Sequence, residues 1–253
     1  MSIFEAIIFG IIEGITEFLP ISSTGHLIIA NKIMGITGEL SDSFNIIIQL
    51  GAILAVIFIY FDKLKVGINL WFKIIISFLP IGIIGFIFSD EVKALFSVNV
   101  VAYAFIVGGI VFLIVEYFIK DKEPSVKRVE DISYKNALFI GLFQIFALIP
   151  GTSRSGATII GALGLKISRK TAAEFSFLIA IPVMFATSGY DFLKHYDSFS
   201  IQDIYLLISG FLVSFVVAFL VIKLFIKFLE NFTFVMFGWY RILFGITLLI
   251  FIQ

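Results

Sequence analysis

The chain has 253 residues, 60% of them hydrophobic and 14% charged, with a formal net charge of zero and a mean hydropathy of +1.11. Soluble domains are about half apolar and a quarter charged, so this composition excludes a soluble enzyme, and the charge balance excludes nucleic acid as the main partner. Cysteine is absent, which removes disulfides and thiol chemistry.

The first segment, "MSIFEAIIFGIIEG", has no basic residues and carries Glu5 and Glu13 within its apolar run, unlike a cleavable signal peptide. A helix needs about 20 apolar residues to cross the hydrocarbon. Residues 3–30 are long enough but are broken at Pro20 by the polar run "EFLPISSTGH". Clean spans are predicted at 44–61, 68–88 and 100–119. The polar connector 120–136, "KDKEPSVKRVEDISYK" and one residue more, separates them from a second broken stretch, 137–165, interrupted by "PGTSRSGAT". Spans at 171–190, 204–222 and 234–252 complete the chain. The fold class is therefore an all-α polytopic membrane protein with six transmembrane helices and two re-entrant helix–loop–helix segments.

Basic residues concentrate on the cytoplasmic side of membrane proteins. If both broken segments return to the side they entered from, the clusters at 63–65, 120–135, 166–170 and 223–227 gather on one face, and only Lys32, Lys93 and Lys194 face the other. If both segments cross, the charges split almost evenly. The re-entrant arrangement puts the connector in the cytoplasm and both termini outside. Irregular backbone at membrane depth must line a wet cavity or be buried in protein, so the two tips are expected to meet in such a cavity. Displaced by about 130 residues, Pro20 lines up with Pro150 and Ser23 with Ser153. Residues 1–119 and 137–253 thus form two halves of one plan, and three crossings per half make the repeat inverted. Such folds bind ligands near the midplane where broken helices meet.

Glu13 and Glu17 stand one helical turn apart, and each charge costs roughly 2.5–3.5 kcal/mol at the bilayer centre. That cost points to a cation or an acid–base role for the pair. Ser22, Ser23 and Thr24 offer hydroxyls to cap the returning half-helix, and His26 stands beside them. In the partner loop Gly151 permits a tight turn, Ser153, Ser155 and Thr158 supply donors, and Arg154 supplies a fork suited to phosphate oxygens. Asn45 and Gln49 are placed to line the cavity or to bond between helices. Carboxylates, a nucleophile, an imidazole and an anion clamp suit the hydrolysis of a phosphate ester or anhydride. A lipid-phosphate or anion transporter is the alternative that this layout allows. Thr171 and Glu174 fit a capping box, while Arg241, Glu116 and Lys73 are expected to snorkel to the headgroups.

"EGITEFLPISSTGH" (13–26) and "PGTSRSGAT" (150–158) resemble the two signature motifs of the undecaprenyl-diphosphate phosphatase family, also known for bacitracin resistance, and the likeness extends to "IQLGAILAV" (48–56) and "EFSFLIAIP" (174–182). The resemblance implies an enzyme of the bacterial cytoplasmic membrane, with its pocket facing outward. It would remove one phosphate from the C55 isoprenoid diphosphate and so recycle the lipid carrier of peptidoglycan synthesis. Glu17, Ser23, His26 and Arg154 would be catalytic, and Glu13 and Glu17 would hold a divalent cation, Mg²⁺ or Ca²⁺. The partners implied are the polyprenyl diphosphate and the bilayer; a homodimer is left open. Either Ser23 attacks with His26 as base, or His26 attacks and Glu17 activates water. Intrinsic nucleophilicity tilts the choice to His26.

Overall fold

The computed structural model describes residues 1–195 and 199–251. Among them, twelve helices run in the order α1 (Ile3–Thr16), α2 (Ser23–Met34), α3 (Glu39–Ile59), α4 (Phe61–Val66), α5 (Ile68–Ile87), α6 (Ser89–Ala94), α7 (Val98–Ile119), α8 (Tyr134–Gln144), α9 (Arg154–Gly164), α10 (Arg169–His195), α11 (Ile201–Phe228) and α12 (Val235–Phe251). The extended contacts among the described residues are confined to a lone parallel bridge, Val126 to Ile167. The chain is an all-α polytopic membrane protein.

Five helices, α3 from Ser41 onward, α5, α7, α10 and α11, are long and apolar enough to cross a membrane. The sixth predicted span is shorter than expected. Helix α12 has 17 residues, about 25 Å at 1.5 Å per residue, against a hydrocarbon core of about 30 Å. The prediction there ends at residue 252, outside the described residues. Phe86, Ile87, Val107, Leu224 and Phe251 stand largely exposed on the outer faces, as lipid-facing side chains do.

The two broken segments each make a pair of short helices packed on one another, α1 with α2 and α8 with α9. None of the four is longer than 14 residues, about 21 Å, so none spans the membrane alone. The start signals are local. Ser2 and Glu5 form a reciprocal capping box before α1, and Ser133 caps α8. Gly35, in the left-handed region at φ 66°, ends α2.

Packing interleaves the halves. Helix α1 lies against α11 and α8 lies against α5, while α7 pairs with α12 and α3 with α10 and α11. Gly10 and Gly141 allow the two crossings, because a Cβ would collide with the carbonyl of Gly210 in one case and of Ser77 in the other. A register of 131 residues relates matching features: Ser2 and Ser133 as caps, Gly10 and Gly141 at crossings, and Ser22 and Ser153 at left-handed turns. That register replaces the expected matches of Pro20 with Pro150 and Ser23 with Ser153. The second tip carries one more residue between its proline and its capping serine, so Pro20 corresponds to Gly151 and Ser23 to Arg154.

Three residues expected to snorkel are buried instead. Glu116 is 3% exposed; it pairs with Arg169 through both oxygens and accepts the Phe234 N–H at 2.9 Å. Lys73 donates to the Glu130 carbonyl at 2.8 Å. Arg241 is fully buried. The expected capping box at Thr171 is absent as well: α10 begins earlier, Ser168 accepts the Thr171 N–H, and Glu174 pairs with Lys63 at 2.7 Å.

Candidate active site

The tips of the two broken segments meet. Each ends in a serine with a left-handed backbone, Ser22 at φ 69° and Ser153 at φ 73°, a conformation that costs on the order of 1 kcal/mol outside glycine. Each of these serines caps the helix that follows. The Ser22 hydroxyl accepts the Gly25 N–H at 3.3 Å, and the Ser153 hydroxyl accepts the Gly156 N–H at 3.0 Å. The strained turns place the next side chains, Ser23 and Arg154, on one shared carboxylate of the first segment.

Glu17 joins them. Its Oε2 accepts the Ser23 hydroxyl at 2.5 Å, and its Oε1 accepts Arg154 Nη2 at 2.8 Å. Arg154 is held from the far side by α10, where Nη1 donates to the Ser176 carbonyl at 2.6 Å. Its Nε–H is buried and without a partner. A buried donor left unmade costs about 1–3 kcal/mol.

These groups line a cavity of about 440 Å³. Ser22, Thr24, Gln49, Gly151 and Ser153 share its polar part. Apolar side chains, among them Phe96, Leu148, Ile149, Val183 and Met184, line the rest, with Lys93, Tyr190, Asp191 and Lys194 further out. From Val183 to Lys194 the cavity follows α10 for eleven residues, about 16 Å. It therefore runs from the middle of the membrane-crossing helix to its end.

The remaining candidates lie away from that wall. His26 joins an aromatic cluster, its ring near-parallel to those of Phe244 and Tyr240, which also stack on each other. Its Nδ1 bonds the Ser22 carbonyl at 2.7 Å and its Nε2 the Tyr240 hydroxyl at 2.6 Å. Neither ring nitrogen is bonded to Ser23. Ser155 donates to the Leu19 carbonyl at 3.0 Å and so ties one tip to the other. Thr158 is buried against Ser176 at 2.7 Å. Asn45 is buried with its Oδ1 unpartnered. Glu13 is fully buried and neither of its carboxylate oxygens has a partner.

That orphaned carboxylate, one turn from Glu17, is where a divalent cation fits. Mg²⁺ in particular is held by one or two carboxylates with substrate phosphates and water making up the shell. Among the described residues no group of three or more His, Cys, Asp or Glu side chains forms a closed cage. Any cation here would thus depend on oxygens that the protein does not supply.

Sequence reasoning missed Ser176 as the seat of Arg154, although it lies within "EFSFLIAIP". It also misplaced Arg241. That guanidinium donates to the carbonyls of Pro20 (3.1 Å), Gly151 (2.9 Å), Ala104 (2.9 Å) and Phe105 (3.4 Å). The available signal was a charge near the middle of an apolar helix.

Comparison with known sequences gives the lineage. The pattern described as bacitracin resistance protein BacA matches residues 6–247. The chain belongs to the BacA family. It is 59% identical over 254 residues to a protein of Sulfurimonas denitrificans named undecaprenyl-diphosphatase, covering 99% of each chain. It is 57% identical over 251 residues to the protein of that name from Sulfurovum sp., covering 98% of this chain and 99% of the relative. A Methanococcus aeolicus protein of that name is 54% identical over 252 residues, with 99% of each covered. The expected family is thus the family found, and in this BacA chain the residues of both signature motifs form the tips just described.

Proposed function

We propose that this chain is an undecaprenyl-diphosphate phosphatase that hydrolyses the terminal phosphate of a membrane-anchored polyprenyl diphosphate. The observation that carries this is the contact of Ser23, Glu17 and Arg154 on the wall of a mostly apolar cavity. A hydroxyl bonded to a carboxylate is a nucleophile with its base, and a guanidinium on the cavity wall is an anion clamp. An anion carrier would need the clamp but not the nucleophile.

Ser23 Oγ attacks the terminal phosphorus as its proton passes to Glu17. The bond to the bridging oxygen breaks, and polyprenyl phosphate leaves. Water then hydrolyses the phosphoserine and releases inorganic phosphate. Arg154 holds the equatorial oxygens, together with the amides at the start of α2 and α9, and takes up the charge that develops in the transition state. Glu13 and Glu17 would hold a divalent cation, which supplies charge neutralisation at the diphosphate. His26, bonded on both ring nitrogens, orders the Ser22 turn. This assignment favours Ser23 over His26 as nucleophile.

The isoprenoid tail lies against the apolar wall around Phe96, Ile149 and Val183. The cavity opens beside Lys93 and Lys194, the side poor in basic residues. Lys122, Lys166, Arg169 and Lys170 border a second cavity, of about 370 Å³, around the opposite end of α10. By the charge rule the active site faces the outer side of the cytoplasmic membrane, where the enzyme would recycle the carrier lipid of peptidoglycan synthesis and confer bacitracin resistance.

The test is phosphate release from a polyprenyl diphosphate by detergent-solubilised protein, where no gradient exists to drive a carrier. Ser23→Ala should abolish release. Rapid acid quench of wild type with labelled substrate should trap an acid-stable phosphoserine; an acid-labile adduct on His26 would refute the assignment of the nucleophile.

A further inference from the structure

Among the described residues Arg241 is the largest fully buried side chain, and the phosphate transfer does not use it. Among the described residues no carboxylate pairs with it; its partners are four carbonyls and the face of Phe105, 5.2 Å away. Burying an unpaired cation is costly, and a leucine or methionine at this site of α12 would be cheaper if packing were the only demand. Which carbonyls it holds is therefore informative.

Two of them belong to the tips. Pro20 and Gly151 occupy equivalent places in the 131-residue repeat, and each lies three residues before a group of the reacting set, Ser23 in one tip and Arg154 in the other. The other two, Ala104 and Phe105, belong to α7, the helix that pairs with α12. Room for the guanidinium comes from Gly108, where a Cβ would strike it. One side chain from one helix thus bonds the same point of both halves, and its planar fork is what lets Nη1 and Nη2 reach separate carbonyls.

We infer that Arg241 is a positioning residue for phosphate transfer: it clasps the two re-entrant tips at the separation at which Ser23, Glu17 and Arg154 meet. The inference rests on the phosphatase reading for its kinetic consequence, but not for its structural one. Arg241 is absent from the cavity wall, so it acts through the tips and not on the substrate. Its uncompensated charge behind the tips also favours an anion between them.

Two substitutions test this. Arg241→Lys keeps a charge but loses the fork. Gly108→Ala keeps the arginine and displaces its guanidinium, while alanine is the better helix residue, so this variant is expected to fold. A misplacement of about 1 Å at a reacting centre costs on the order of 100-fold. Both variants should lose about that much in kcat for phosphate release with KM nearly unchanged. Amide exchange should rise together in segments 17–25 and 149–156 and stay at wild-type levels in α3, α5 and α10.

Wild-type kcat in a folded variant would overturn the inference, and so would a rise in KM alone or exchange that increases throughout the protein. If the wild type itself released no phosphate, the phosphatase reading would fail. The clasp would then be judged on exchange alone, with unchanged protection at either tip counting against it.

Discussion

Removal of Arg154 should destabilise the protein through Glu17, and the two residues can be separated. The pair is buried, with side chains 8% and 4% exposed and 2.8 Å between Nη2 and Oε1. Arg154→Ala deletes that bond and the one to Ser176. It leaves the Glu17 carboxylate with Ser23 as its remaining donor, one turn from a Glu13 that has no partner. Breaking one side of a buried pair costs about 3–5 kcal/mol, mostly because the other charge is stranded. At roughly 2–4 °C per kcal/mol for a chain of this size, the melting temperature in detergent should fall by about 6–20 °C. Adding Glu17→Gln removes the stranded charge, and coupling between contacting residues of about 0.5–3 kcal/mol should return part of the loss. Phosphate release should be absent in the single and the double variant alike. Melting followed by retention of the monodisperse peak on size exclusion, with all three variants measured side by side, gives the cycle. Strictly additive losses, with the double variant melting below Arg154→Ala, would show that no such coupling exists and refute the electrostatic account of the site.

Chelation should lower phosphate release, and Mg²⁺ or Ca²⁺ should restore it; in Glu13→Gln the restoring concentration should rise at least tenfold, measured by metal titration. Glu116→Gln strips the charge from the contacts to Arg169 and the Phe234 amide, far from the cavity. It should cost about 1.5–3 kcal/mol in thermal melts while leaving kcat of the folded enzyme unchanged. Tyr240→Phe removes the hydroxyl that His26 bonds; it should cost about 1 kcal/mol and change kcat little, whereas a loss as large as that of Ser23→Ala would restore His26 to the chemistry.

What the sequence made legible were features set by local composition. Spans follow from apolar length, and the tips follow from Pro20 and Pro150 in polar runs too costly to face lipid. The convergence of Glu17, Ser23 and Arg154 followed because wet, irregular backbone at membrane depth has to be shared. Two kinds of feature were hidden. Register was one: a single extra residue between Pro150 and Ser153 changes which serines correspond, and only the shared left-handed turns reveal it. Side-chain direction was the other. His26 is close to Ser23 along the chain, yet α2 turns its ring onto Phe244 and Tyr240, residues more than two hundred positions away. Arg241 and Glu116 read as headgroup anchors because snorkelling is the usual escape for a charge in an apolar helix. Their carbonyl and arginine partners lie on the tips and on other helices, which a single helix's pattern does not disclose.

The exchange of partners between halves has a consequence for biogenesis. Helix α1 packs on α11, so the first element to leave the ribosome waits for about two hundred further residues before its mate is made. At about 5–20 residues per second that delay is roughly 10–40 s. For roughly 7–27 s of it, until the chain reaches Arg154, 137 residues beyond Glu17, a hairpin bearing Glu13 and Glu17 must rest in the bilayer or its insertion machinery without that arginine to neutralise it. Neither half can mature alone, and a ribosome stalled after the connector would leave a fragment that quality control should recognise by its two unmatched acids.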